Sequence, residues 1–131
     1  MPTKKIWANF SVKDANRTRK FYSDLGFTPS KQNDLPQLAS FLFSDEQFVI
    51  HFFQKGSQID EFLPGTPTTS EIIFTLSAET EEEVKRWSEK IKTAGGNILK
   101  EAGRDESGYY GLAFADPDGH KFNVLLMEKG M

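Results

Sequence analysis

Residues 6–27 read IWANFSVKDANRTRKFYSDLGF and residues 71–96 read EIIFTLSAETEEEVKRWSEKIKTAGG, and the fold follows from setting the two stretches side by side. In the first, Ile6–Val12 alternates apolar residues with small or polar ones, the period of a half-buried strand. Asp14 supplies an N-cap, and Ala15, Thr18, Phe21, Tyr22 and Leu25 then recur at helical spacing. Gly26 follows, where a left-handed residue ends a helix at little cost to Gly. In the second stretch Glu71–Ser77 alternates again. Thr80-Glu81-Glu82-Glu83 fits a capping box, with acidic residues where the helix dipole favours them. Val84, Trp87, Ile91 and Ala94 form the apolar stripe, and Gly95-Gly96 closes it.

Outward from these anchors the pattern continues alike. Phe27-Thr28-Pro29 is a short extended segment, and Ala39–Phe43 and Phe48–Phe53 are strands joined through Ser44–Gln47. In the second half Asn97–Lys100, Gly111–Ala115 and Lys121–Met127 read as strands. The turn Asp116-Pro117-Asp118-Gly119 joins the last two. The expected class is α+β: two tandem βαβββ modules forming a curved-sheet cup within one domain of residues 1–131. Module 1 spans about residues 4–54, a linker about 55–69, and module 2 about 70–128. Val12 is matched to Leu76 at an offset of 64, the closing hairpins at 72. The 17-residue stretch Gln54–Ser70 contains Pro64, Gly65 and Pro67 and has no period, as in a linker, lid or arm. Phe62-Leu63 within it suggests a packed portion.

Composition bounds the function. At 37% hydrophobic and 27% charged residues, the chain can build a core, and twelve Phe supply most of its rings. Sixteen Lys+Arg against nineteen Asp+Glu leave a net charge of −3, which argues against nucleic acid and anionic membrane as partners. The lack of Cys excludes a disulfide framework, a thiolate zinc site and a cysteine nucleophile. With only His51 and His120, a three-histidine metal site within one chain is excluded as well. No apolar run of about 18 residues and no leading signal region are present, so a soluble cytoplasmic chain is expected.

Period-two alternation sorts the strand side chains. Ile6, Ala8, Phe10, Val12, Phe48, Ile50 and Phe52 face the helix of module 1. Ile72, Phe74, Leu76, Phe122, Val124 and Leu126 do so in module 2. The opposite face carries Trp7, Asn9, Ser11, Val49, His51 and Phe53, then Glu71, Ile73, Thr75, Lys121, Asn123 and Leu125. An aromatic and aliphatic trough with a few polar groups is how small-molecule pockets are lined.

These residues resemble the vicinal oxygen chelate superfamily, which includes glyoxalase I, fosfomycin- and bleomycin-resistance proteins and extradiol dioxygenases. The resemblance rests on VKD (Val12–Asp14), RKFYSDLGF (Arg19–Phe27), AGG (Ala94–Gly96) and DPDGHKFNVL (Asp116–Leu125), and so spans nearly the whole chain. It implies a divalent-metal site in the trough, with ligand positions falling on Trp7, His51, Glu71 and Asn123. Trp7 has only a donor nitrogen, and Asn123 offers a neutral carbonyl in place of a carboxylate. His51 and Glu71 remain, fewer than the three protein ligands zinc sites use. No tightly bound cofactor is therefore expected, although weak divalent metal at His51 and Glu71 is compatible with the pair. The resemblance also implies a homodimer.

The candidate residues divide by role. Glu71 and His51 form the catalytic pair if chemistry occurs, as base and tuning partner. The bland alternatives are a solvated Glu71 at the trough mouth and a His51 that only hydrogen-bonds Glu71 or a backbone carbonyl. Trp7, Asn9, Phe53 and Asn123 line the ligand site, with Trp7 as a stacking surface. Arg104, Tyr109 and Tyr110 lie in the polar loop Glu101–Tyr110, where an arginine grips an anion or merely stands in solvent. His120 reads as structural. The expected function is small-molecule binding of the glyoxalase/bleomycin-resistance type with a degenerate metal site. The alternative is a glyoxalase-like lyase or isomerase using Glu71 and His51 as acid/base pair or metal ligands, and a vestigial interaction module is the third reading.

Overall fold

The computed structural model describes residues 2–31, 33, 35–45, 48–66 and 69–128. The chain divides into two compact units, residues 1–67 and 68–131. Among the described residues unit 1 contains β1 (Ala8–Val12), α1 (Ala15–Leu25), β2 (Thr28–Pro29), β3 (Leu38–Leu42) and β4 (Val49–Gln54), followed by a short 3-10 turn at Gln58–Glu61. Its sheet has the order β1-β4-β3-β2, with β1 parallel to β4 and the other pairs antiparallel. Unit 2 contains β5 (Ile73–Ala78), α2 (Glu81–Ala94), β6 (Asn97–Arg104), β7 (Tyr110–Ala115) and β8 (Lys121–Leu126). Its order is β5-β8-β7-β6, with the same directions. The tandem βαβββ reading of an α+β chain holds. None of the helices is long and apolar enough to cross a membrane among the described residues.

Both helices begin and end where side-chain chemistry dictates. The Asp14 carboxylate accepts from the backbone N–H groups of Asn16 and Arg17 at 3.0 and 3.2 Å. Gly26, with φ 97°, turns the chain out of α1. In α2 the Thr80 hydroxyl accepts from Glu83 N at 3.0 Å. The Glu83 carboxylate reaches the N–H of Glu79 at 2.7 Å, one residue ahead of the cap, so the box closes shifted by one.

Helix α1 packs on β3 and β4, and α2 on all four strands of its sheet. Tyr22, fully buried, stacks on Phe52 with centroids 4.7 Å apart and meets Phe21 edge-on at 4.9 Å. In unit 2, Phe114 stacks on Phe122 at 5.3 Å and on Trp87 at 6.4 Å. Val12, Ile50, Phe52, Phe122 and Val124 are buried as alternation requires. Val49, His51, Phe53, Lys121, Asn123 and Leu125 between them are half-buried.

The strand starts differ from expectation. β1 begins at Ala8 and β5 at Ile73. Ile6, 78% exposed, and Ile72, 51% exposed, precede their strands and cover no helix. Glu71 lies outside β5 as well, and is exposed. Pairing to β4 and β8 begins only at Ala8 and Ile73, so the earlier residues have no ladder to hold their alternation. Ser11, assigned to the open face, is buried. β6 runs on to Arg104, so the polar loop shrinks to the turn between Arg104 and Tyr110. The 17-residue connection is broken by the 3-10 turn, whose Ile59 is buried, while Phe62 is exposed. Of the Ser44–Gln47 connection, Glu46 and Gln47 lie outside the described residues; Phe43 N bonds Phe48 O across it at 2.7 Å.

The internal offset also changes. The N-caps Asp14 and Thr80 stand 66 residues apart, while β4 and β8 stand 72 apart. Val12 pairs with Gln54 and Ala78 with Leu126, which makes Ala78, not Leu76, the counterpart of Val12. Trp7 accordingly corresponds to Ile73, and Glu71 lies two residues upstream. A two-residue slip keeps every side chain on its face, so alternation alone does not detect it.

Candidate ligand-binding site

Unit 1 holds a cavity of about 650 Å3 over the face of the sheet that carries His51 and Phe53. Trp7, just ahead of β1, and Asn9 form one side. Leu35, Pro36, Gln37 and Leu38, leading into β3, form a wall, and Ser57 and Gln58 contribute from the start of the 3-10 turn. An adjoining cavity of about 430 Å3 shares Asn9, Phe53 and Gln58 and adds Ile59, Glu61, Phe62 and Leu63. Two rings and a Leu/Pro wall supply contact area, while three carboxamides and one imidazole supply directional bonds.

β3 and β4 pair Ser40 with His51, and this register wires the imidazole. Ser40 Oγ lies 2.7 Å from His51 Nδ1 and accepts from Ser30 Oγ at 2.5 Å. Its backbone N–H donates to Asn33 Oδ1 at 2.8 Å. Ser40 is completely buried, so His51 is oriented by a group that water does not reach. The ring itself meets Phe53 edge-on at 5.9 Å. Burial lowers the pKa of His51 from its ordinary 6.5, which leaves it neutral at pH 7. With Nδ1 engaged, Nε2 is the ring nitrogen left for a ligand.

The remaining candidates belong to unit 2. Asn123 lines a recess of about 80 Å3 with Lys100, Asp105, Tyr109 and Leu125, and its Oδ1 has no hydrogen-bond partner among the described residues. Tyr109 is exposed. Arg104 is held within its own unit: it donates to Glu128 at 2.8 Å and to the Gly108 carbonyl, and sits 5.7 Å from the Tyr110 ring centroid. His120 is buried beside the final turn, its N–H on Asp116 Oδ1 at 2.8 Å. The unit 1 cavity thus gathers Trp7, Asn9, His51 and Phe53, whereas Glu71, Asn123, Arg104 and Tyr109 lie elsewhere in the sequence of units.

The donor chemistry does not suit a family-type transition-metal site. Trp7 has no lone pair to give, and Asn123 offers at most a neutral oxygen. Among the described residues no group of three or more His, Asp or Glu side chains is placed to hold a metal ion.

Sequence reasoning missed the wall from Leu35 to Leu38, Ser57 and Gln58, because a pocket wall made by a loop carries no period. It also missed Ser40. A lone serine inside the apolar run Ala39–Phe43 was the available signal, since a buried hydroxyl requires a partner.

The model of the Glyoxalase/Bleomycin resistance protein/Dioxygenase superfamily matches residues 6–124. Among solved structures, the chain is 28% identical to the hypothetical protein SA1046 from S. aureus, covering 97% of this chain and 96% of that one at a TM-score of 0.83. A glyoxalase-related enzyme from Fulvimarina pelagi shares 20% identity over 95% and 89% of the two chains, with a TM-score of 0.80. The genomically encoded fosfomycin resistance protein FosX from Listeria monocytogenes shares 20% over 100% and 96%, with a TM-score of 0.71. No curated protein matches the chain.

Proposed function

This chain belongs to the Glyoxalase/Bleomycin resistance protein/Dioxygenase superfamily, and we propose that it is a binding or sequestering protein that holds a small, partly aromatic or amphipathic molecule without a resident metal. The observation that carries this reading is the unit 1 cavity of about 650 Å3, a volume within the range of small-molecule sites, lined by Trp7, Phe53 and carboxamides around a neutral His51. Trp7 and Phe53 provide the stacking area, and His51 Nε2 with Asn9 and Gln58 fixes orientation. Asn123 belongs to the same reading as a ligand-binding group, supported by its unpartnered Oδ1. Arg104 and Tyr109 are kept as rim residues of unit 2.

A homodimer in the cytoplasm, with no nucleic-acid or membrane partner, completes the proposal. Exposed Ile6, Trp7 and Phe62 in unit 1 and Ile72, Ile73 and Leu99 in unit 2 support self-association. The lyase or isomerase alternative with Glu71 and His51 gains nothing from the exposed position of Glu71 ahead of β5.

A thermal-shift screen of uncharged and singly charged aromatic compounds, followed by titration of Trp fluorescence, tests the reading. Stabilisation by mass action that is lost in Trp7→Ala supports it. A screen in which every stabilising compound acts equally on Trp7→Ala and His51→Ala overturns it.

A further inference from the structure

The wall from Leu35 to Leu38 is tied by the backbone bonds of Leu38 N to Leu35 O at 3.2 Å and of Gln54 N to Gln37 O at 2.8 Å, and a side chain from α1 adds to them. Arg19 Nε donates to the Asn33 carbonyl at 2.6 Å. Its Nη2 donates to the carbonyls of Leu35 and Leu38 at 2.8 and 2.9 Å, and Nη1 to Asn16 Oδ1 at 2.5 Å. One half-buried guanidinium therefore spans three carbonyls, two in the segment between β2 and β3 and one at the first residue of β3, anchored to its own helix one turn back. The same segment carries Asn33, whose carboxamide receives Ser40 N, and Ser40 orients His51.

We propose that Arg19 is the positioning residue of the unit 1 site, presetting the wall of Leu35–Leu38 and the Asn33–Ser40 link before any ligand arrives. The proposal rests on reading the cavity as the ligand site. A planar fork with five donors reaches carbonyls in several directions at once; a lysine ammonium on a flexible stem does not hold three such acceptors in place. Without the fork, the carbonyls turn to water, and only a fraction of molecules has the wall formed. Apparent affinity falls by that fraction although no contact to the ligand is lost.

The test uses the full chain, its Arg19→Lys variant, and 7-methoxycoumarin, an uncharged planar fluorophore. In the variant the association rate is expected to fall about five-fold or more while the dissociation rate stays within about two-fold. Amide exchange at Leu38 and Ser40 is expected to quicken about ten-fold, with β7 and β8 unchanged. Lys20→Ala, one residue along and paired with Asp24 at the surface, is the control expected to change neither. Unaltered exchange at Leu38 and Ser40 in a folded Arg19→Lys overturns the proposal. If wild type does not bind 7-methoxycoumarin or any other ring compound, the ligand-site reading fails, and the exchange measurement still decides the role of Arg19. Should Arg19→Lys lose its helical circular dichroism, the free wild-type chain decides: amides of Leu38 and Ser40 must exchange within about ten-fold of those in β4, and exchange at coil rates overturns the proposal.

Discussion

The hydroxyl of Ser40 lies 2.7 Å from Nδ1 of His51, across the antiparallel pair of β3 and β4. As register partners the two share one face of the unit 1 sheet, with Ser40 wholly buried and His51 half-buried, so the imidazole is held from its enclosed side. Ser40→Ala leaves the imidazole unoriented. The expected cost is about 1 kcal/mol of stability, read from urea midpoints. Affinity for any ring compound found in the screen should drop with it.

Acid should weaken unit 1 through the same histidine. Burial holds the His51 pKa below 6.5, so the unfolded chain takes up the proton first as pH falls. The associated stability is complete above about 6.5 and is lost as pH drops through the folded-state value. Urea midpoints of wild type and His51→Gln at pH 7.5 and 5.5 check this. The wild-type midpoint should fall further than that of the variant; an equal fall refutes the assignment.

Trp7→Ala and Phe10→Ala should separate binding from stability. Trp7 is 53% exposed beside the cavity, and its removal is expected to weaken ligand binding by about 2 kcal/mol or more at small cost to folding. Phe10 stacks on buried Phe52 at 5.8 Å, and its truncation should destabilise by about 2 kcal/mol, less than a fully enclosed ring. Unfolding by Trp7→Ala with a benign Phe10→Ala inverts the assignment of faces.

Purified protein should carry no stoichiometric zinc, nickel or iron, because the carried-over positions Trp7 and Asn123 supply no anionic donor. Elemental analysis checks this. Near one transition metal per chain, lost on His51→Ala, defeats the expectation.

Light scattering at micromolar concentration should give about twice the chain mass of 14.9 kDa. A mass near that of one chain removes the dimer from the proposal.

Local chemistry was readable along the chain. Asp14, Gly26, Thr80 and Gly95 cap their helices as read, because a cap is made by residues two to four apart. The alternation of β4 and β8 was legible for the same reason: it depends only on near neighbours. The site was legible in part. Trp7, Asn9, His51 and Phe53 were named and line one cavity, while Ser40, Arg19 and the Leu35–Leu38 wall were not.

The sequence by itself determined two βαβββ units, their caps, the faces of their strands and the absence of cysteine chemistry. Only the tertiary structure decided where pairing begins, and hence that Val12 answers to Ala78 rather than Leu76. It alone set Ser40 against His51 and Arg19 against three carbonyls up to 19 residues away. The division has one physical origin. Caps and alternation are properties of neighbouring residues, whereas register, loop walls and buried hydrogen bonds form between segments and leave no periodic trace in either one.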